Sequence, residues 1–181
     1  SSPMPTLEPI QRFEHVAFIA LGSNLGDRVK NINAAVKFLC TEDTQLLATS
    51  FLYMSPASYV TEQPAFCNCA IKIATKLDPV ALFHKVKRVE QQVGRMQSFR
   101  WGPREVDLDI IFYDHLVLES VDPELTIPHP RALERDFVLG PLCDIQPSLL
   151  HPELRLPLHR LLRSLLSSTN SSRCALDRVF P

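Results

Sequence analysis

The sequence predicts an α+β fold, in which helices pack against a mainly antiparallel sheet. Two observations lead to this class. Four short stretches have the apolar or alternating composition of strands, and two stretches with the periodicity of amphipathic helices lie between them. The chain has 181 residues, 45% of them hydrophobic, which is enough for one domain with a buried core.

The first strand is predicted at residues 15–23, HVAFIALGS, and the first helix after a turn at Gly26. Asp27 has the residue type of a helix N-cap. The apolar positions that would share one face of this helix are Val29, Ile32, Ala35 and Val36. A strand, a turn and a helix therefore open the fold.

Two adjacent antiparallel strands are predicted next. Residues 44–55, TQLLATSFLYMS, are rich in β-forming residue types, and residues 66–77, FCNCAIKIATKL, alternate between apolar and polar positions. A loop punctuated by prolines connects the two stretches.

The second helix begins at Asp78-Pro79, the pattern of an N-cap followed by proline at the first helical position, and would end near Gly94. Lys87 and Glu90 fall on its predicted polar side. The predicted buried stripe is Leu82, Val86, Val89 and Val93.

A strand at residues 106–113 follows, and DHLVLES is predicted to return beside it as a hairpin across the turn Asp114-His115. The order βαββαβ is that of a ferredoxin-like core. The proline-containing last third adds short helical patterns, at residues 131–135, 137–144 and 158–166.

The predicted domain covers residues 14–166. Residues 1–13 mix Ser and Pro without periodicity and are interpreted as a flexible lead-in. Residues 167–181 are interpreted as a linker or the start of a following domain.

Charge and composition exclude several classes of protein. Lys and Arg number 19 against 20 Asp and Glu, so the chain lacks the basic balance of a general nucleic-acid binder. No apolar stretch approaches the roughly 20 residues of a membrane span. The 5 cysteines have no zinc-site spacing, which favours reduced thiols in an intracellular compartment.

Two carboxylates stand inside the last apolar strand. Because strand side chains alternate, Asp107 and Asp109 point to the same face with Cα atoms roughly 6.6 Å apart, while Leu108 and Ile110 face the core. At an effective dielectric of about 20 the two charges repel by roughly 3 kcal/mol if they lie about 5 Å apart. Exposure to solvent would relieve this repulsion, as would arginine or a hard cation such as Mg²⁺.

Cationic and aromatic residues accompany these carboxylates. Arg100 and Arg104 flank Trp101-Gly102-Pro103, and guanidinium groups match phosphate geometry. His129 lies between two prolines, with Arg131 and Arg135 close by in the sequence. Together these residues predict a site for a nucleotide phosphate and magnesium.

Five motifs identify a family: ALGSNLGDR, FCNCAIKI, VEQQVGR, RWGPREVDLDIIFYD and LTIPHPRALERDFVLGPL. In this order they resemble 6-hydroxymethyl-7,8-dihydropterin pyrophosphokinase of folate biosynthesis. The resemblance implies an α+β ferredoxin-like fold and transfer of pyrophosphate from ATP to the hydroxymethyl group of the pterin. It also implies two Mg²⁺ ions held by Asp107 and Asp109.

The remaining site residues are carried over from the family. Those that would bind or steer the triphosphate are Arg95, Arg100, Arg104, His129 and Arg135. Those that would contact the ribose and adenine are Glu90, Ile110 and Thr126. Those that would hold the pterin are Ser55, Pro56, Phe66, Asn68, Trp101 and Phe137. Gln97 and Lys87 depart from the family pattern, which has an arginine and often a glutamine at these positions.

Three further expectations follow from the resemblance. Loops 50–64 and 96–105 would close over ATP before the pterin is committed. The chain would be a module of a multifunctional folate enzyme, fused to dihydropteroate synthase, in the cytoplasm or the mitochondrial matrix. The competing functions are an RNA-binding or ligand-sensing module of the same fold and an inactive copy of the enzyme, because fold does not fix function.

Overall fold

The computed structural model describes residues 13–24, 26–55, 65–95 and 106–168, and the backbone of residues 177–179. In the described residues no helix is long and apolar enough to span a membrane. The first elements are β1 His15–Ser23, α1 Arg28–Leu39, β2 Thr44–Thr49, β3 Leu52–Ser55, β4 Phe66–Thr75 and α2 Pro79–Arg95. The later elements are β5 Asp107–Tyr113, β6 Leu118–Ser120, β7 Leu125–Ile127, a 3-10 turn Ala132–Glu134, α3 Asp136–Ile145, α4 Leu158–Ser168 and β8 Asp177–Val179.

The main sheet has the order β5-β1-β4-β3-β8, and every neighbouring pair is antiparallel. β2 also pairs with β4, so the predicted strand 44–55 consists of two segments beside one partner. At the break Ser50 keeps contact with β4, because its N–H donates to the carbonyl of Ala70 at 2.9 Å. This order confirms the predicted ferredoxin-like fold.

Both predicted helix starts are confirmed. The side chain of Asp27 accepts a hydrogen bond from the N–H of Lys30 at 3.1 Å, and Asp78 Oδ1 accepts one from Ala81 at 2.8 Å. The stripe predicted for α2 is buried at every position.

The face predicted for α1 is partly wrong. Val29 is 38% exposed, because it lies about 120° around the helix from the buried Ala35. The residues that α1 buries are Asn31, Ile32, Ala35 and Leu39.

The two faces of the sheet are covered by different parts of the chain. Helices α1 and α2 cover one face, which we call the helix-pair face, and its core includes Leu82, Leu108 and Ile110. The 3-10 turn, α3 and α4 cover the other, which we call the C-terminal face, and its core includes Phe112 and Leu139. The fold therefore has three layers, with the sheet in the middle.

The predicted hairpin return of DHLVLES is wrong. β6 pairs with β7 in a separate two-stranded sheet. Asp114 turns the chain with a φ of 47° and is then held by β1. Its N–H donates to the carbonyl of Val16 at 2.8 Å, and its carboxylate contacts His15 Nδ1 at 2.7 Å and the Val16 N–H at 2.8 Å. This anchoring to β1 replaces the expected pairing beside β5.

The last described elements lie around and after residue 166, where the predicted domain ends. α4 ends at Ser168, and residues 177–179 form β8, which pairs with β3 at the edge of the main sheet. Whether the segment 167–181 is a linker or the start of a following domain stays a prediction. Of the predicted lead-in, residues 1–12 lie outside the described part of the chain.

Candidate active site

The candidate site lies on the C-terminal face, where the strands change from apolar to polar or small residues. Along β1 the side chains on this face are Phe18 and Ala20, followed by Gly22. Gly22 lies opposite Asn68 of β4 on one side and Asp107 of β5 on the other. One row across three strands therefore holds an amide, a glycine and a carboxylate.

The two aspartates are placed as the strand alternation predicts. Asp107 lies opposite Gly22 and Asp109 lies opposite Ala20, so both carboxylates border small residues. Leu108 and Ile110 are buried in the core of the helix-pair face. The side chain of Asp109 is 42% exposed, so its carboxylate is accessible to a ligand.

The donor set fits a hard cation that shares its coordination with substrate. Among the described residues, no group of three or more His, Cys, Asp or Glu side chains is placed to hold a metal ion. Asp107 and Asp109 can therefore supply carboxylate oxygens but no closed protein cage. Mg²⁺ is commonly bound by one or two carboxylates together with water and substrate phosphate.

His129 faces this pair of carboxylates from the loop after β7. The backbone N–H of His129 donates to the carbonyl of Ile111 at 3.0 Å. Its ring Nδ1 accepts from the backbone N–H of Arg131 at 3.2 Å. The proton of the neutral ring is therefore on Nε2, which lies 4.0 Å from Asp109 Oδ1. Burial lowers the pKa of His129, Asp109 opposes this shift, and Arg135 and Arg131 add to it.

A first cavity, of about 210 Å³, lies between the sheet and the start of α3. Its lining includes the predicted residues Ser55, Phe66, Asn68, Asp107, Asp109, Arg135 and Phe137. The guanidinium of Arg135 lies 5.7 Å from the centre of the Phe137 ring. The cavity thus combines two aromatic rings with an amide, a hydroxyl and charged groups.

The amide of Asn68 has a fixed orientation. Its Nδ2 donates to Ser55 Oγ at 2.6 Å and approaches the carbonyl of Phe66 at 3.5 Å. Its Oδ1 lies toward Gly22, where an added Cβ would be 3.2 Å from that oxygen. Because Ser55 Oγ accepts from Asn68, the hydroxyl proton of Ser55 remains available to donate.

A second cavity, of about 510 Å³, lies beside β5 and β7. Its lining includes the predicted residues Asp109, Ile110, Thr126 and His129, together with Phe83 and Lys87. Lys87 Nζ lies 5.5 Å from the centre of the Phe83 ring. Lys87, the departure from the family pattern, therefore brings a positive charge to this cavity.

The chain matches the sequence profile of 7,8-dihydro-6-hydroxymethylpterin-pyrophosphokinase (HPPK) over residues 18–147. The chain belongs to the HPPK family. The folic acid synthesis protein FOL1 of Dictyostelium discoideum is 42% identical over 156 residues, which are 86% of this chain and 23% of that protein. The chain thus spans about a quarter of the length of this relative.

Two other similar proteins differ in how much of their length this chain covers. The 2-amino-4-hydroxy-6-hydroxymethyldihydropteridine pyrophosphokinase of Aquifex aeolicus is 40% identical over 141 residues, 78% of this chain and 86% of the relative. The crystal structure of wild-type HPPK-DHPS from Plasmodium falciparum has a TM-score of 0.68 and 15% identity, over 87% of this chain and 46% of that one. At this identity the structural likeness supports the HPPK fold.

Glu90 is placed differently from the prediction for this HPPK domain. Its side chain is only 10% exposed and does not lie on a solvated helix face. One carboxylate oxygen accepts from the N–H of Leu108 at 3.0 Å and lies 3.4 Å from Lys87 Nζ. Burial raises the pKa of Glu90, and the Leu108 bond and Lys87 partly offset the shift. The physical reason is that β5 begins against this part of α2.

Some residues of the predicted HPPK site do not line either cavity, and others lie outside the described residues. Arg95 is the exposed last residue of α2 and is not among the described lining residues of either cavity. The segments 56–64 and 96–105 lie outside the described residues, so the predicted lids stay predictions. The site residues within these segments are Pro56, Arg100, Trp101 and Arg104, together with the departure Gln97.

Sequence reasoning missed four of the described lining residues of the first cavity, Ala20, Leu21, Gly22 and Val138. Gly22 had a signal, because glycine inside a strand often marks a close approach of a ligand or another chain segment. Val138 follows Phe137 in α3, and its apolar side chain resembles any other core position in the sequence.

Proposed function

We propose that this chain transfers the β,γ-pyrophosphoryl group of ATP to the hydroxymethyl oxygen of 6-hydroxymethyl-7,8-dihydropterin. The products are the pterin pyrophosphate and AMP. One observation carries the proposal: Asp109 lines both cavities. A carboxylate at the border of two cavities suits a reaction in which a group held by a cation passes from one bound substrate to another.

The first cavity suits the pterin. Phe66 and Phe137 offer ring faces for stacking on a flat heterocycle. Asn68 offers an acceptor oxygen whose direction is fixed by the bond from its Nδ2 to Ser55. A pterin ring has N–H donors along one edge, which such an acceptor can bind. Pro56 and Trp101 are proposed to complete this subsite.

The second cavity suits the nucleotide. Ile110 and Thr126 would contact the adenine, and Lys87 would add a charge that the commoner glutamine lacks. Glu90, whose side chain is 10% exposed and lies 3.4 Å from Lys87 Nζ, is proposed to contact the ribose. Arg95, Arg100, Arg104 and Arg135 are proposed to bind or steer the triphosphate.

Asp107 and Asp109 would hold Mg²⁺, for which we propose a count of two ions. Their partly exposed carboxylates border small residues and leave the remaining coordination positions to phosphate and water. When bound, Mg²⁺ supplies the positive charge that neutralises the phosphates and relieves the repulsion between the two carboxylates.

The proposed chemistry is a direct displacement. The hydroxymethyl oxygen attacks the β-phosphorus, the bond from that phosphorus to the oxygen bridging the α-phosphate breaks, and the hydroxyl proton is released. AMP leaves with the bridging oxygen. The Nε2–H of His129 can donate to an anionic oxygen of the phosphates, because its Nδ1 already accepts from Arg131. Positioning and charge neutralisation supply the rate enhancement, without a covalent intermediate.

The context of the chain is also proposed from its relatives. The pea protein named as a mitochondrial folate synthesis bifunctional protein is 41% identical over 145 residues, which are 28% of its length. We propose that this HPPK domain is fused to dihydropteroate synthase, and that the parent protein is cytoplasmic, with the mitochondrial matrix as the alternative.

The test is nucleotide release from ATP and Mg²⁺ with and without 6-hydroxymethyl-7,8-dihydropterin. We expect AMP in stoichiometric amount with the pterin pyrophosphate, and neither product without the pterin. The identity of the nucleotide is the control, since ADP would indicate transfer of a single phosphoryl group. Release of ADP, or AMP release that does not depend on the pterin, would overturn the proposal.

A further inference from the structure

A tyrosine–aspartate pair joins β3 to α3 outside both cavities. Tyr53 is 6% exposed, and its Oη donates to Asp144 Oδ2 at 2.5 Å. The backbone N–H of Phe51 donates to the same oxygen at 3.3 Å. Neither Tyr53 nor Asp144 is among the described residues that line the two cavities.

Each partner is rigidly connected to a wall of the first cavity. On β3, Tyr53 lies two residues before Ser55, and strand periodicity puts both side chains on the same face. On α3, Asp144 lies seven residues after Phe137, a rotation of about 700°, which is within about 20° of two full turns. Phe137 and Asp144 therefore share one side of the helix, separated along its axis by about 10 Å.

The helix α3 packs against the sheet but lacks two local hydrogen bonds that would help to fix it. Pro141 lies inside it and lacks the N–H that would donate to the carbonyl of Phe137. Its N-cap residue, Arg135, makes no side-chain capping bond. A second tie reaches the sheet from the same C-terminal end of α3 as Asp144, since Lys72 Nζ donates to Gln146 Oε1 at 3.0 Å.

We propose that Tyr53 and Asp144 are a positioning pair, which fixes the distance between the Ser55 wall on β3 and the Phe137 wall on α3. The role rests on the proposed function, because it concerns the cavity assigned to the pterin. The pair touches neither substrate. Its contribution is to hold the two walls at the spacing that a flat heterocycle needs, so that binding does not have to order them.

The experiment compares Tyr53→Phe with Tyr113→Phe. Tyr113 is the matched control, because it is 3% exposed and its Oη donates to the carbonyl of Leu77 at 2.6 Å in the core of the other sheet face. Both variants lose one buried hydrogen bond and should melt earlier than the wild type. Only Tyr53→Phe should raise the KM for the pterin, by roughly 3- to 10-fold. The KM for ATP should stay within about twofold of the wild type in both.

Asp144 gives a second pair of variants. Asp144→Asn keeps an acceptor for Tyr53 and should keep the pterin KM near the wild-type value, whereas Asp144→Ala should raise it as Tyr53→Phe does. If Tyr53→Phe does not fold, these two variants decide the question. Equal pterin KM values in Tyr53→Phe and Tyr113→Phe, or in Asp144→Asn and Asp144→Ala, would overturn the positioning role while leaving the function intact. An inactive wild type would overturn the function, and this role with it.

Discussion

The two faces of the same sheet differ in how far apolar residues continue along them. On the helix-pair face, apolar side chains continue along β1, β4 and β5 under α1 and α2. On the C-terminal face, the apolar residues Phe18, Ala20 and Phe112 give way within a few residues to Gly22, Asn68 and Asp109. The helix-pair face carries a continuous core with the second cavity at its border, and the C-terminal face opens onto the first cavity.

This difference shows how the fold separates stability from chemistry. A strand in the middle layer presents alternate residues to opposite faces, so Leu108 and Asp109 are neighbours in the chain but lie in different environments. Leu108 is 1% exposed in the core. The core side fixes the backbone of β5, and this rigid backbone sets the direction of the carboxylates on the other side.

The largest expected effect comes from removing a carboxylate. Asp107→Ala and Asp109→Ala should each lower the rate of AMP release at least about 100-fold, because each removes charge stabilisation for the phosphates. Their free energy of unfolding should not fall, since both side chains are partly exposed and removing one carboxylate also removes its repulsion with the other. Initial rates and urea unfolding curves measure the two quantities.

Leu108→Ala is the matched control for this comparison. It deletes a fully buried side chain and should lower the free energy of unfolding by about 2–5 kcal/mol. Because Leu108 also lines the second cavity, the variant should keep much of its kcat below its unfolding transition, with any loss of activity appearing in the KM for ATP. If Asp109→Ala unfolded as easily as Leu108→Ala and kept its activity, the separation of the two faces would be contradicted.

Local signals in the sequence predicted most of the fold. Both helix starts depend on an aspartate and the backbone N–H groups just after it, and these contacts are local in sequence. The pairing of β6 was mispredicted because the path of the chain into β6 depends on Asp114. The side chain of Asp114 is held by His15, which lies 99 residues away in the sequence. A β-bulge at Ile111 is a similar case. It lets Phe112 follow Asp109 onto the same face, and it is visible only in the register with β1.

The candidate site also divides into residues that the sequence could assign and contacts that only the structure shows. The resemblance to the family assigned Asn68, Asp109, His129 and Phe137, and the structure brings these residues to two adjoining cavities. The bond between Tyr53 and Asp144 joins residues 91 positions apart, so no local pattern could reveal it. The burial of Glu90 likewise depends on where β5 begins, which periodicity along α2 does not show.

A smaller effect is expected at Gly22, which lines the first cavity on the C-terminal face. In Gly22→Ala the new methyl group would lie 3.2 Å from Asn68 Oδ1 and 3.9 Å from the Phe66 ring. Displacing the amide oxygen by a few tenths of an ångström should raise the pterin KM roughly 3- to 10-fold, the cost of one weakened hydrogen bond. The KM for ATP should change little.

Gly94→Ala is the control for the general effect of glycine replacement. A Cβ at Gly94 meets nothing within 4 Å, and the position lies in the last turn of α2. This variant should gain roughly 0.5–1 kcal/mol of stability and keep both KM values. The role of Gly22 can be checked in an Asn68→Ala background, where Gly22→Ala should have little further effect on the pterin KM. An undiminished effect there would show that the methyl group acts on something other than the amide.

The smallest effect concerns the closed part of the C-terminal face, where His151 packs edge-on against Phe112 with ring centres 5.8 Å apart. Its Nδ1 accepts from the N–H groups of Glu153 and Leu154, both at 3.2 Å. Burial lowers the pKa of His151, and Glu153 opposes the shift. In the unfolded chain a histidine takes up its proton near pH 6.5, about the ordinary value.

The lowered pKa sets the direction of the pH dependence. Above about pH 6.5 both states hold the neutral ring and the stabilisation is complete. As the pH falls toward the folded-state pKa, the unfolded state binds more protons and stability is lost, with a slope of at most about 1.4 kcal/mol per pH unit. His151→Asn keeps an acceptor for the same N–H groups but does not titrate. Urea unfolding of both proteins from pH 5 to 8 should give a stability difference that changes only below about pH 6.5. Parallel curves over the whole range would show that protonation of His151 is not coupled to folding.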